Sequence, residues 1–199
     1  MRPVPTTTIA LRRRAVLADL VPGEKVRDIA LVLAAAGFVG ALAQVTIPLP
    51  FTPVPITGQT LGVLLAGAAL GWRRAAASLA LYLVAGFAGL PWFQGHSGGW
   101  QGASTGYLFG FLLAAVVSGA LAERGGDRTL LRSVGTMLAG EACIYAVGVP
   151  WLALSAHVGL GEALSLGFVP FVGVDGIKLA IAAGLLPATW RLAGGRSAA

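Results

Sequence analysis

Residues 29–47 read Ile29-Ala30-Leu31-Val32-Leu33-Ala34-Ala35-Ala36-Gly37-Phe38-Val39-Gly40-Ala41-Leu42-Ala43-Gln44-Val45-Thr46-Ile47. The run carries no charge, and about 20 such residues are what a helix needs to cross ~30 Å of hydrocarbon. Outward from it lie further apolar blocks, at roughly Ile56–Leu70, Ala75–Leu90, Thr105–Ala122, Ser133–Val149 and Phe168–Trp190. The second and third blocks are short, and Thr57-Gly58-Gln59-Thr60 interrupts the second. The whole chain of 199 residues is 56% hydrophobic and 11% charged, with a mean hydropathy of +0.81. A soluble domain carries about 25% charged residues. The pattern predicts an all-α integral membrane protein with six transmembrane helices in one domain.

The basic residues predict its orientation. Of 14 Lys and Arg residues, 13 fall before the first block, between blocks two and three (Arg73, Arg74), around the four–five connection (Arg124, Arg128, Arg132) or at the end (Arg191, Arg196). Connections 48–55, 91–104 and 150–167 hold none. Positive-inside sorting then places both termini in the cytoplasm of a multi-pass protein of the cell membrane. The expected division is a cytoplasmic segment over 1–27, a six-helix membrane domain over 28–192 and a cytoplasmic tail over 193–199. Gly89-Leu90-Pro91-Trp92 and Gly148-Val149-Pro150-Trp151 are expected to close spans three and five, since glycine permits a terminal turn, proline stops a helix and tryptophan sits at the interface.

Several function classes fall away. The net charge of +6 would suit a nucleic-acid partner if it formed one patch, but the arginines are scattered between apolar blocks. Cys143 is alone, so it makes neither an internal disulfide nor a metal cluster. The Ile9–Leu11 stretch is too short for the apolar core of a cleavable signal. A basic amphipathic helix over Leu11–Val21 and a partly ordered tail remain alternatives for the N-terminal region. Gly95-His96-Ser97-Gly98-Gly99 matches the G-x-S-x-G of hydrolases, yet it follows a proline-terminated helix and precedes more glycine. The elbow needs a strand before it and a helix directly after. A glycine-rich lid offering N–H groups to an anion is the better reading.

Glu141, Asp175 and Lys178 are the acidic and basic side chains inside apolar blocks. A charge at the bilayer centre costs about 2.5–3.5 kcal/mol on insertion scales, so each is a functional candidate. Asp175 and Lys178 are three residues apart and project from one helix face, as a ligand-binding couple or as a structural ion pair. The loop Pro48-Leu49-Pro50-Phe51-Thr52-Pro53-Val54-Pro55 is stiff and extended, a backbone tolerated at membrane depth where it lines a cavity. Small residues at four-residue spacing, Ala30 and Ala34 with Ala36 and Gly40, suit close approach of a neighbouring helix or a second protein.

The stretch Leu42-Ala43-Gln44 through Pro48, then Phe51-Thr52-Pro53-Val54-Pro55-Ile56-Thr57-Gly58-Gln59-Thr60-Leu61, closely resembles the first loop of the BioY family. So do Leu70-Gly71-Trp72-Arg73-Arg74, Thr105-Gly106-Tyr107-Leu108-Phe109-Gly110-Phe111, Tyr145 with Gly148-Val149-Pro150-Trp151, and Asp175-x-x-Lys178. The resemblance covers about residues 30–192. It implies a bundle of the S-component type, the biotin-binding subunit of an energy-coupling-factor (ECF) transporter; an S component or small transporter for another vitamin-like metabolite is the alternative. It implies as partners biotin, an energising transmembrane protein, two ABC-type ATPases and the lipid bilayer, with a homo-oligomer also open. Asp175 and Lys178 carry the family's binding role. Gln59, Gln94, Tyr82, Tyr107 and Glu141 are candidate second contacts, and Trp92, Phe93 and Trp100 candidate packing for the bicyclic ring. Each of these has core packing or interface anchoring as an even alternative. No Walker A sequence occurs, so the energy of ATP comes from partners. No enzyme activity, cofactor or metal is expected.

Overall fold

The computed structural model describes residues 15–23 and 25–195. Among them run α1 (Lys25–Ala43), a two-stranded ladder β1 (Thr46–Ile47) and β2 (Ile56–Thr57), α2 (Gln59–Leu70), α3 (Trp72–Phe87), α4 (Thr105–Glu123), α5 (Leu130–Ala156), α6 (Leu160–Gly167) and α7 (Val172–Gly195). Four segments are long and apolar enough to cross a membrane: Lys25–Ala43, Gly102–Glu123, Leu130–Ala156 and Val172–Ala193. α2 and α3, at 12 and 16 residues, fall under that length. At 1.5 Å per residue they extend about 18 and 24 Å.

α4 is the axis of the bundle and packs against α2, α3 and α5. Its glycines allow that closeness: a Cβ on Gly110 would lie 2.8 Å from the Ile144 carbonyl oxygen and 2.9 Å from its Cα. α7 packs on α5 and α2, and α1 on α2 and α3. α1 and α7 are the least covered of the long helices, as expected of segments with one face toward lipid. The buried set is dominated by Ala, Val, Leu and Gly, whose small volumes let the helices approach.

The proline loop behaves as its composition requires. Thr46 pairs with Thr57 and Ile47 with Ile56 in an antiparallel register, and Gly58 N donates to Val45 O at 3.0 Å. The four prolines occupy the connection between the strands, where no ladder hydrogen bond is asked of them. Gly71 alone separates α2 from α3, with a φ of 77° that side chains rarely adopt.

Three expectations are corrected. α5 does not end at Val149-Pro150 but runs through Pro150 to Ala156, stopping at a left-handed His157. Proline forfeits one helical bond, and Pro150 and Ala146 both lie on an exposed face of α5, two turns from its end, where the ring is accommodated. Trp151 is therefore inside the helix, donating from Nε1 to Gly102 O at 3.0 Å. Connection 150–167 is mostly helical, being the end of α5 plus α6. The last long helix starts at Val172, beyond Pro170, rather than at Phe168. The proposed amphipathic stretch Leu11–Val21 lies partly outside the described residues; within them Leu17–Leu20 forms one 3-10 turn.

Candidate functional site

A narrow cleft open at one end lies between α2, α4, α5, α7 and the β1–β2 loop. Convergent polar groups between apolar walls are the usual make-up of a small-ligand site. Its polar lining is Thr57, Gln59, Thr60, Gln94, Ser104, Tyr107, Tyr145, Asp175 and Lys178; its apolar walls include Val54, Leu108, Phe111, Ile144 and Phe171.

Asp175 sits in the first turn of α7, where unsatisfied N–H groups favour a carboxylate. Its Oδ1 accepts from Lys178 Nζ at 2.8 Å, and its Oδ2 from the Tyr145 hydroxyl. Lys178 Nζ also donates to Thr57 O at 2.6 Å and to Thr60 Oγ1 at 2.9 Å. An ammonium has three donors, and here all three are used. The carbonyl of Thr57 is free for this because the chain passes from strand to helix there, so the polar interruption of the second apolar block becomes one wall of the site.

Behind the lining a chain of hydrogen bonds fixes Gln59. Its Oε1 accepts from Thr57 Oγ1 at 3.0 Å, and its Nε2 donates to Tyr82 Oη at 2.8 Å. Tyr82 donates in turn to Trp92 O at 3.2 Å, while Trp92 Nε1 donates to Tyr82 O at 2.9 Å. Gln44 Nε2 bonds Trp92 O and Phe93 O, each at 3.2 Å, tying the 92–96 turn to the end of α1. Gln94 Nε2 donates to Ser104 Oγ at 3.1 Å at the mouth, and Tyr107 Oη to Gly167 O at 2.8 Å.

Asp175, Lys178, Gln59, Gln94 and Tyr107 thus line the void. Tyr82 and Trp92 do not; they are the support beneath Gln59 and the loop. Glu141 is also outside the lining, buried one helical turn from Tyr145. Phe93 is buried against Phe87 and Tyr82 rather than facing the void, and Trp100 lies against Phe87 and Trp151. The sequence reading passed over Thr57, Thr60, Tyr145 and Ser104 as site residues. A signal existed for the first two, since they are polar residues inside an otherwise apolar block; Tyr145 needed the α5–α7 packing to reach Asp175. Ser97 is in a tight turn, its single hydroxyl proton placed to go to Gln94 O at 2.7 Å or Gln101 Oε1 at 2.9 Å, not in a strand-to-helix elbow.

Spanning-length apolar helices around a small void walled by a carboxylate, an ammonium and neutral amide and hydroxyl groups define a membrane protein that binds a small polar solute. The chain belongs to the BioY family, whose sequence model matches residues 12–195. It is 42% identical over 140 residues to the biotin transporter BioY of Thermotoga maritima, covering 69% of this chain and 81% of that one. It is 36% identical over 168 residues to the biotin transporter BioY of Rhizobium etli, covering 79% and 89%. Its fold is similar to a crystal structure of the S-component for biotin from an ECF-type ABC transporter, with TM-score 0.74, 25% identity, and coverage of 84% of this chain and 92% of that one.

Proposed function

We propose that the protein is the substrate-binding membrane subunit of an ECF-type transporter and takes up biotin. Support comes from family membership, from relatives that carry that name and from a likeness to a biotin S-component. The observation that carries it is the Asp175–Lys178 couple beside Thr57, Thr60 and Tyr145 on the wall of a cleft between the helices. Biotin presents two ureido N–H donors, one ureido carbonyl and an anionic tail. Asp175 accepts from the ureido N–H groups, and Lys178 exchanges its bond to Asp175 Oδ1 for one to the ureido carbonyl. Gln59 holds the ring edge, and the thin apolar walls enclose the bicycle. The tail lies toward Gln94 and Ser104 at the mouth.

In this reading residues 28–192 form six membrane-crossing helices in the cell membrane, with residues 1–27 and 193–199 in the cytoplasm. α2 and α3 cross as shorter, partly buried helices. The basic connections on one side and bare ones on the other support that orientation. The energy comes from an energising transmembrane protein and two ABC-type ATPases, as no nucleotide motif is present in the sequence.

The test is equilibrium binding of labelled biotin to purified protein. Wild type binds tightly, while Asp175→Asn and Lys178→Ala bind far more weakly. Equal affinity in all three removes the site assignment. Displacement of the label by another vitamin better than by biotin replaces the substrate. Co-purification with the membrane and ATPase partners, or of a second tagged copy, reads the assembly.

A further inference from the structure

Beyond the cleft the chain forms a second, wider space. An open hollow of about 490 Å³ is lined by Gln44, Thr46, Leu49, Thr52, Gln94 and Gly95, with three prolines of the β1–β2 loop. Pro55 and Gln94 line both spaces, so the hollow adjoins the mouth of the cleft across these two side chains. The Asp175–Lys178 couple belongs to the cleft and not to the hollow.

The hollow is electrically neutral. Among the described residues its lining holds no acidic or basic side chain, and connections 48–55 and 91–104, which supply most of it, contain no Lys or Arg. Its polar groups are largely committed: Gln44 Nε2 donates to Gly40 O at 2.8 Å, Gln44 Oε1 accepts from His96 N at 2.9 Å, and Thr46 Oγ1 donates to Ala43 O at 2.6 Å. The 91–104 loop is no anion cradle either. The amides of Phe93, His96, Ser97, Gly99, Gln101 and Ser104 all donate within the protein. Gln94 stands at the border, its Nε2 donating to Ser104 Oγ at 3.1 Å and its Oε1 without a donor among the described residues. An amide and a hydroxyl each give and accept hydrogen bonds, so this pair serves a carboxylate or a carboxamide alike.

Resting on biotin as the ligand, we propose that the protein reads the bicyclic ring but not the charge of the tail, and so also takes biotin joined through its carboxyl to an amine, as an amide. The ureido ring occupies the cleft at Asp175 and Lys178, and the tail passes between Pro55 and Gln94 into the hollow. Lys178 is the one cation of the cleft lining, and the ring engages it. In the hollow the tail carboxylate keeps its water and meets no cation, so converting it to a neutral amide removes no ionic partner. A group carried on that amide, such as a lysine side chain, extends into open space rather than against a wall. The ligand class is therefore the biotinyl group with a free or an amide-linked tail.

The test is equilibrium binding of biotin, its primary amide and ε-N-biotinyl-lysine to purified protein. All three are expected to bind within about threefold of one another, whereas loss of a charge-assisted hydrogen bond to the tail would cost roughly tenfold or more. A preference of about tenfold or more for free biotin over its primary amide overturns the proposal. Binding of the primary amide without ε-N-biotinyl-lysine refutes the open path for the tail. Two variants read where the tail lies. Gln94→Glu should weaken biotin relative to its primary amide by about fivefold or more, and Gln94→Lys should favour the acid by a similar factor, as charges about 4 Å apart do even in water. Comparing both ligands on one preparation cancels any loss of folded protein, and a ratio unmoved in both variants refutes the path past Gln94. Loss of amide binding alone leaves biotin as the substrate; binding of neither biotin nor its amides refutes the substrate reading, and this proposal with it.

Discussion

Replacing Lys178 with alanine separates a binding role from a structural one. Its ammonium makes three hydrogen bonds, at 2.6, 2.8 and 2.9 Å, and its partner Asp175 is only 6% exposed. Removing one member of a buried pair leaves the other uncompensated, which costs about 3–5 kcal/mol. For a protein of this size each kcal/mol moves Tm by roughly 2–4 °C, so Lys178→Ala is expected to lower Tm in detergent by about 6–20 °C. In the double variant Asp175→Asn with Lys178→Met, the asparagine still accepts from Tyr145 and no lone charge remains. More than half of the lost stability should return, because replacing both partners is far cheaper than orphaning one. Biotin should bind far more weakly to both. The assay is thermal unfolding beside labelled-biotin binding on the same preparations. A double variant that loses the sum of the two single losses, or a Lys178→Ala protein within about 1 kcal/mol of wild type, refutes the reading of the pair as mutually dependent.

Other outcomes follow from the same coordinates. Gly110→Ala drives a methyl against the Ile144 backbone and should cost about 1–3 kcal/mol, whereas Gly135→Ala, with nothing within 4 Å, should gain up to about 1 kcal/mol from helix propensity; Tm shifts of one sign for both refute this account of the α4–α5 contact. Asp127, in the α4–α5 connection, is fully buried, and burial pushes its carboxyl above the ordinary aspartate range against the opposing pull of Trp190 Nε1 at 2.5 Å and of Arg128. A raised value in the folded state means that stability is greatest below the ordinary aspartate value, declines as pH rises to the raised value and is flat above it; Asp127→Asn should remove that slope in thermal unfolding. With Cys143 replaced by alanine, a membrane-impermeant thiol reagent should label Ser97→Cys in intact cells and Arg132→Cys only after permeabilisation, and the reverse pattern inverts the proposed topology.

Most of the helical framework was legible because lipid leaves the chain little choice. Every backbone N–H and C=O in hydrocarbon must bond within its own helix, so a long uncharged run reads directly as a helix. The start of α2 and the break before α3 were marked by Thr57-Gly58-Gln59-Thr60 and Gly71. Pro150 misled, because a proline costs a helix one hydrogen bond and a local kink without always ending it, and α5 carries it on an exposed face near its end. α6 was not legible: eight residues between two long helices form it where it can pack on α5.

Sequence by itself determined the solvent this protein lives in, the run of its helices and the acids and amine that hydrocarbon would otherwise reject. It could not rank their uses, since Tyr82, Trp92, Tyr107 and Tyr145 are all amphipathic residues in or beside apolar blocks. Tertiary structure decided that ranking. Tyr145 joins Asp175, Tyr107 reaches Gly167 O, and Tyr82 and Trp92 are spent on each other beneath Gln59. The physical reason is that a hydrogen bond forms only within about 3 Å, and which groups come that close depends on how separate helices are rotated and stacked. Helix formation follows from the local run of residues; their mutual rotation depends on contacts between residues as far apart as Thr57 and Lys178.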